Sequence, residues 1–131
     1  MFKFTYFIKT WLNSRLALGR GGERLAARYL RARGLRILAR NVRTPRGEID
    51  IVAMENKTLV IVEVRTQSGD ATKSPEQSIR ARKKRSVLHA AHWFVRTRKL
   101  AHFPLRIDLI AILWPPGKEP EIRHYRNAIR R

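Results

Sequence analysis

The stretch Gly47-Glu48-Ile49-Asp50-Ile51-Val52-Ala53-Met54-Glu55-Asn56-Lys57-Thr58-Leu59-Val60-Ile61-Val62-Glu63-Val64-Arg65 decides the fold. Two runs rich in Ile and Val, Glu48 to Met54 and Thr58 to Arg65, flank Glu55-Asn56-Lys57 and read as a β-hairpin. Alternation puts Ile49, Ile51 and Ala53 on one side with Val52 and Met54 on the other, then Val60, Val62 and Val64 against Leu59 and Ile61. Both faces are apolar, so the sheet must be covered on both sides.

Upstream, Leu25, Ala26, Tyr29 and Leu30 recur at helical spacing from Glu23 to Arg33, and Gly34 supplies the stop. Arg36 to Val42 reads as extended, and Thr44-Pro45-Arg46-Gly47 as a turn. Downstream, the polar segment from Gln67 to Glu76 reads as a loop, and Ser74 or Pro75 opens a basic helix to about Lys99. Val87, Ala90, Ala91, Phe94 and Val95 form its apolar stripe. Leu105 to Leu113 is a further strand, and Glu121 to Tyr125 a short last one. Helix, three strands, helix, strand indicates α/β or α+β.

The chain has 131 residues, enough for one compact core, which we expect over residues 19–131. Residues 1–18, with Phe2, Phe4, Tyr6, Phe7 and Trp11 interrupted by Lys3, Lys9 and Arg15, read as an aromatic, basic N-terminal extension. They lack the apolar run of a signal peptide and the length of a membrane span, so no stable membrane insertion is expected. There is no cysteine, which removes disulfides, thiolate metal sites and cysteine nucleophiles and agrees with a cytoplasmic location. Lys and Arg number 29 against 10 Asp and Glu, a net charge of +19. Such a field draws polyanions, and a nucleic acid is the partner it suits best.

Against that surplus, Glu48, Asp50, Glu63 and Asp108 stand in or beside apolar strands, where an unpaired charge is costly. A two-residue Asn56-Lys57 loop sets Asp50 opposite Glu63. Neighbours across strands lie about 5 Å apart, where two anions repel by roughly 3 kcal/mol at an effective dielectric of about 20. A divalent cation, a basic side chain or a shared proton would relieve this. Hard oxygen donors suit Mg²⁺ or Mn²⁺. Arg65, two positions beyond Glu63, shares its face and brings a cation to the pair. Carboxylates with a metal beside a cation are what phosphodiester hydrolysis requires. Glu23, in the first turn of its helix as read here, offers another ligand or simply complements the helix dipole.

Gly22-Glu23, Ala26, Tyr29-Leu30, the run Asn41 to Ala53, Val62-Glu63-Val64-Arg65, Ser74-Pro75-Glu76, Arg82-Lys83 and Arg106-Ile107-Asp108 together resemble the YraN-like family of uncharacterised bacterial proteins. The resemblance spans roughly Gly19 to Tyr125 and is most specific from Asn41 to Asp50. It implies the PD-(D/E)XK nuclease superfamily, with a restriction-endonuclease-like core: an α/β fold whose mixed central sheet is flanked by helices, in the order α-β-β-β-α-β. It further implies likeness to Holliday-junction resolvases, which act as dimers. Carried over, it makes Asp50 and Glu63 metal ligands, Glu23 the helix-borne acid, and Lys83 a family basic residue on the second helix. Arg65 falls at the superfamily's catalytic lysine position. Arginine keeps the charge but cannot give up a proton. Gln67 replaces a later arginine, and Thr72-Lys73 stands where the family often has Phe-Gly.

Arg82, Lys83 and Lys84 on the second helix, with Arg43 and Arg46 before the acidic hairpin, are the candidate phosphate contacts. Two functional readings result: a Mg²⁺- or Mn²⁺-dependent endonuclease for DNA processing, recombination or repair, and an inactive nucleic-acid-binding module keeping the same fold. A basic membrane adaptor using residues 1–18 is a third. His89 and His92, three apart on the helix, read as a partly buried pair, and His124 carries no assigned role.

Overall fold

The computed structural model describes residues 15–67 and 79–130, with first-helix side chains from residue 21 onward. Residues 1–14, and the Ser74-Pro75-Glu76 and Thr72-Lys73 segments, lie outside the described residues. The elements are α1 (Arg15–Ala32), β1 (Arg36–Thr44), β2 (Gly47–Glu55), β3 (Thr58–Gln67), α2 (Ala81–Thr97), β4 (Leu105–Leu113) and β5 (Glu121–Tyr125). The fold is α/β: one five-stranded sheet in the order β1-β2-β3-β4-β5, antiparallel except for the parallel pair β3 and β4. It follows the expected α-β-β-β-α-β order, with β5 added at the edge, and is consistent with a nuclease-like core.

The two helices cover opposite faces. Leu25, Ala26, Tyr29 and Leu30 of α1 pack on Ile51, Ala53, Val60, Val62, Ile110 and Ile112. Val87, Ala90, Ala91 and Phe94 of α2 pack on Ile49, Val52, Leu59, Ile61 and Ile107. Gly34, at φ 92°, lets the chain leave α1 while Leu35 N–H donates to Leu30 O at 2.9 Å, which returns Leu35 to the first cluster. A bulge in β1 between Ile37 and Ala39 leaves Leu38 exposed.

Three local expectations change. α1 begins at Arg15, eight residues before Glu23, so Glu23 lies inside the helix and not in its first turn, and the helix dipole does not account for it. Arg80 is extended, so α2 starts at Ala81 and does not run unbroken from Ser74 or Pro75. More consequential is Ile49, which packs with the α2 cluster while Ile51 packs with the α1 cluster, so the strict alternation fails at Asp50. The registered β2–β3 pairs run from Glu55↔Thr58 to Ile51↔Val62. Just beyond them the Asp50 carboxylate accepts the Val64 N–H at 2.8 Å. A side chain thus stands in for a ladder carbonyl, and the strands part where the acids gather.

Candidate metal and nucleic-acid site

Asp50 lies at this parting, beside Glu23 and Glu63. From α1 comes Glu23, placed by a close approach of helix to sheet. Gly22 sits against Thr66: a Cβ there would overlap Thr66 Oγ1 and press on Thr66 Cβ, while Ile112 lies at ordinary contact distance. From the β1–β2 hairpin comes Glu48. Carboxylate oxygens of Glu23, Glu48 and Asp50 all lie within 4.8 Å of one another. Asn41, in the left-handed region at φ 52°, turns its amide nitrogen between them, donating to Glu23 Oε1 at 3.0 Å and Glu48 Oε1 at 3.2 Å. Asparagine tolerates this backbone better than other non-glycine residues.

Glu63 meets Asp50 from the other side. It is only 5% exposed, and its Oε2 lies 3.2 Å from Lys83 Nζ on α2. Burial, then the charge of Asp50, pushes the Glu63 carboxyl up to about 7, with Lys83 opposing the rise. The Glu23 carboxyl likewise rises to about 7, from burial first and the Asp50 charge second. One ammonium, one amide and the Arg40 charge beside Glu23 therefore leave the repulsion among these acids only partly answered. The donors are all carboxylate oxygens, the hard set that fits Mg²⁺ or Mn²⁺.

The expected site residues are brought together in two groups. Glu23, Asp50 and Glu63 converge, with Glu48 and Asn41 as members the sequence reading had not assigned to the site. Arg65, Lys83 and Arg82 line a cleft of about 350 Å³ with Arg80 and Ser86. Lys83 joins the two groups, since it lines the cleft and bonds Glu63. Lys84 is half-buried and does not line the cleft, while Arg43 and Arg46 are exposed on the neighbouring hairpin. That hairpin is fastened to α2 by Ser86 Oγ, which donates to Arg46 O at 2.7 Å.

Asp108 has a different fate. It is fully buried, and its two oxygens accept from Arg106 at 2.8 and 3.1 Å and from Asn127 N–H at 2.8 Å. His124 Nε2 lies 2.7 Å from Asp108 Oδ2, and Tyr29 Oη lies 3.3 Å from the other ring nitrogen. Burial alone would raise the Asp108 carboxyl, but hydrogen bonds from His124, Arg106 and Asn127 hold it below its ordinary value. Its charge is answered internally, and His124 thereby gains a structural role. His89 is exposed and His92 half-buried. No described helix is long and apolar enough to cross a membrane.

Comparison with known proteins agrees with the likeness read from the motifs. Residues 22–112 match the model of "Uncharacterised protein family UPF0102", the YraN-like family. The chain is 45% identical over 114 residues to a UPF0102 protein of Syntrophotalea carbinolica, covering 87% of this chain and 92% of that one. Similar relatives come from Dehalococcoides mccartyi, at 38% identity over 88% of this chain and 95% of the relative, and Desulfitobacterium hafniense, at 42% over 82% and 92%.

Proposed function

We propose, from the premise that the chain belongs to uncharacterised protein family UPF0102, that it is a metal-assisted phosphodiesterase acting on nucleic acid, with DNA as substrate. The observation that carries this is the junction of the two groups: mutually repelling carboxylates at a strand parting, joined through Lys83 to a cleft lined by Arg65, Arg80 and Arg82. One group suits a divalent cation and the other a phosphate, side by side. A metal without phosphate ligands, or a basic surface without acids, would need only half of this.

Glu23, Glu48 and Asp50 would hold Mg²⁺ or Mn²⁺, with Glu63 next to Asp50 as a further ligand. When bound, the ion supplies Lewis-acid polarisation of the phosphoryl oxygen and activation of water. Arg65 orients the attacked phosphate and spreads the charge its oxygens gain. Arginine cannot serve as the compact ammonium of the superfamily pattern, but Lys83 brings one to the same carboxylates from α2. The element order and these roles favour membership of the PD-(D/E)XK superfamily and a place in DNA recombination or repair; action as a homodimer follows only from the likeness to resolvases, and a cytoplasmic location agrees with the lack of cysteine.

The test compares cleavage of duplex, single-stranded, flap and junction DNA with Mg²⁺ or Mn²⁺ by the wild type, Asp50→Ala, Glu63→Ala, Lys83→Ala and Arg65→Lys. Loss of at least a hundred-fold in the first two variants is expected. Equal cutting by wild type and Asp50→Ala would remove the proposal. Arg65 itself supports a second reading, a non-cleaving module with the same fold. That reading predicts salt-sensitive DNA binding with no hydrolysis by any of these proteins, Arg65→Lys included.

A further inference from the structure

The recess between β3 and the start of α2 carries more positive charge than one backbone phosphate requires. Lys83 is committed to Glu63, yet Arg65, Arg80 and Arg82 remain, and among the described residues no carboxylate pairs with any of these three. Three guanidinium groups around one cavity repel one another unless an anion of matching charge enters.

An internal phosphodiester brings one negative charge, and two of its four oxygens are tied into the chain. A phosphomonoester brings about −1.5 to −2 charges at neutral pH and three free acceptor oxygens, which planar guanidinium forks bind in pairs. The cleft is an open one of about 350 Å³, with room for a group that projects into it, so the discrimination between a strand end and a backbone rests on charge. That volume exceeds the needs of a phosphate alone and lies at the small end of pockets that take a nucleotide-sized ligand.

We infer that Arg65, Arg80 and Arg82 form a pocket for the terminal phosphomonoester of a nucleic-acid strand, so that the chain recognises phosphorylated ends, nicks or flaps beside its acidic cluster. The inference rests on the nucleic-acid reading above but not on catalysis. The pocket sits next to the carboxylates through Lys83, so a held end sets the acidic cluster against phosphates close to that end. Arg80 becomes the residue most specific to this role, and it is exposed enough to be replaced without loss of the fold.

The experiment measures binding of short fluorescent single strands by anisotropy in EDTA, where no cleavage occurs. Strands carry a 5′-phosphate, a 3′-phosphate or hydroxyls at both ends, and a hydroxyl-ended strand two nucleotides longer controls for added charge. One phosphorylated end is expected to bind at least ten-fold tighter than the charge-matched control. That preference should vanish in Arg80→Gln/Arg82→Gln. The 5′ and 3′ arms identify which end is held. Affinity equal to the control, or a preference that survives the double variant, overturns the pocket. A free nucleoside monophosphate binding as tightly as the phosphorylated strand overturns the assignment to strand ends. Cleavage assays on the same strands with Mn²⁺ separate the two claims: end preference without cleavage removes the enzyme reading alone, and cleavage without end preference removes this inference alone.

Discussion

At the scale of single residues, the acids divide by how their charge is answered. Asp50 accepts the Val64 N–H, which an asparagine oxygen also does, whereas its negative charge raises the cost of ionising Glu23 and Glu63. Asp50→Asn should therefore keep the strand closure and relieve the repulsion. The expected result is a metal-free protein at pH 8 that melts a few degrees higher, on the order of 1 kcal/mol, and has lost its stabilisation by Mn²⁺. Thermal melts with and without Mn²⁺ check both halves. Asp108 should behave in the opposite way, because Arg106→Ala strips a fully buried carboxylate of its guanidinium partner. A cost of about 3 kcal/mol, read from urea midpoints, is expected with the Mn²⁺ response intact. Asp50 and Glu63 were legible in the sequence because acids within apolar strands demand a cause. Glu48 was noticed but not assigned, since an exposed acid at a turn is ordinary until Asn41 is seen between it and Glu23. Asn41 depends on a left-handed backbone inside a strand, and Lys83 meets Glu63 across layers. Neither contact leaves a periodic trace in the sequence.

At the scale of elements, α1 matters less for its own stability than for where it sets Glu23. Alanine for glycine inside a helix ordinarily stabilises by about 1 kcal/mol. Here the added Cβ would overlap Thr66 Oγ1, and lifting α1 off β3 displaces the next residue, Glu23. Gly22→Ala should thus lower stability by about 1–3 kcal/mol in urea titrations and weaken Mn²⁺ binding measured by calorimetry. Thr66→Ala in the same chain should restore part of both, because it removes the overlapping atom. A stabilised Gly22→Ala protein with unchanged Mn²⁺ affinity would show that the helix is free to sit elsewhere. The strands were readable to within two residues, with Leu105–Leu113 and Glu121–Tyr125 on the expected bounds, whereas the helix starts were not: α1 begins eight residues before Glu23 and α2 six residues after Pro75. Hydrophobic period and turn residues act locally, so they carry this information well. What they missed is non-local: the bulge that expels Leu38, the break at Asp50 where a side chain replaces a ladder bond, and the extended Arg80 that delays α2. Each arises from how neighbouring elements meet.

At the scale of the whole molecule, the site and the net charge impose opposing pH dependences. Glu23 and Glu63 have folded-state carboxyls near 7, above the ordinary 4.5, so between those values the folded chain holds protons that the unfolded chain has released. Stability contributed by these groups is complete below the unfolded value and is lost as pH rises through the folded one. Glu55 and Asp108, held low by hydrogen bonds and ion pairs, act in the reverse direction and lose their contribution only as acid is added below their ordinary range. The metal-free protein should therefore be most stable near pH 5 and weaken toward pH 8. Across the whole surface, the net charge of +19 acts the other way, since deprotonation at higher pH reduces self-repulsion. Salt distinguishes the two: surface repulsion is screened over about 10 Å at 0.1 M, whereas the buried carboxylates are screened far less. Urea titrations at pH 5, 6, 7 and 8, in low and high salt, should show the decline persisting when surface charge is screened. Mn²⁺ competes with protons for the same oxygens, so its stabilisation should grow across the same interval and reverse the slope. Metal-free stability that climbs steadily from pH 5 to pH 8 in high salt would mean that the basic residues already neutralise the acids, leaving a cation nothing to do there.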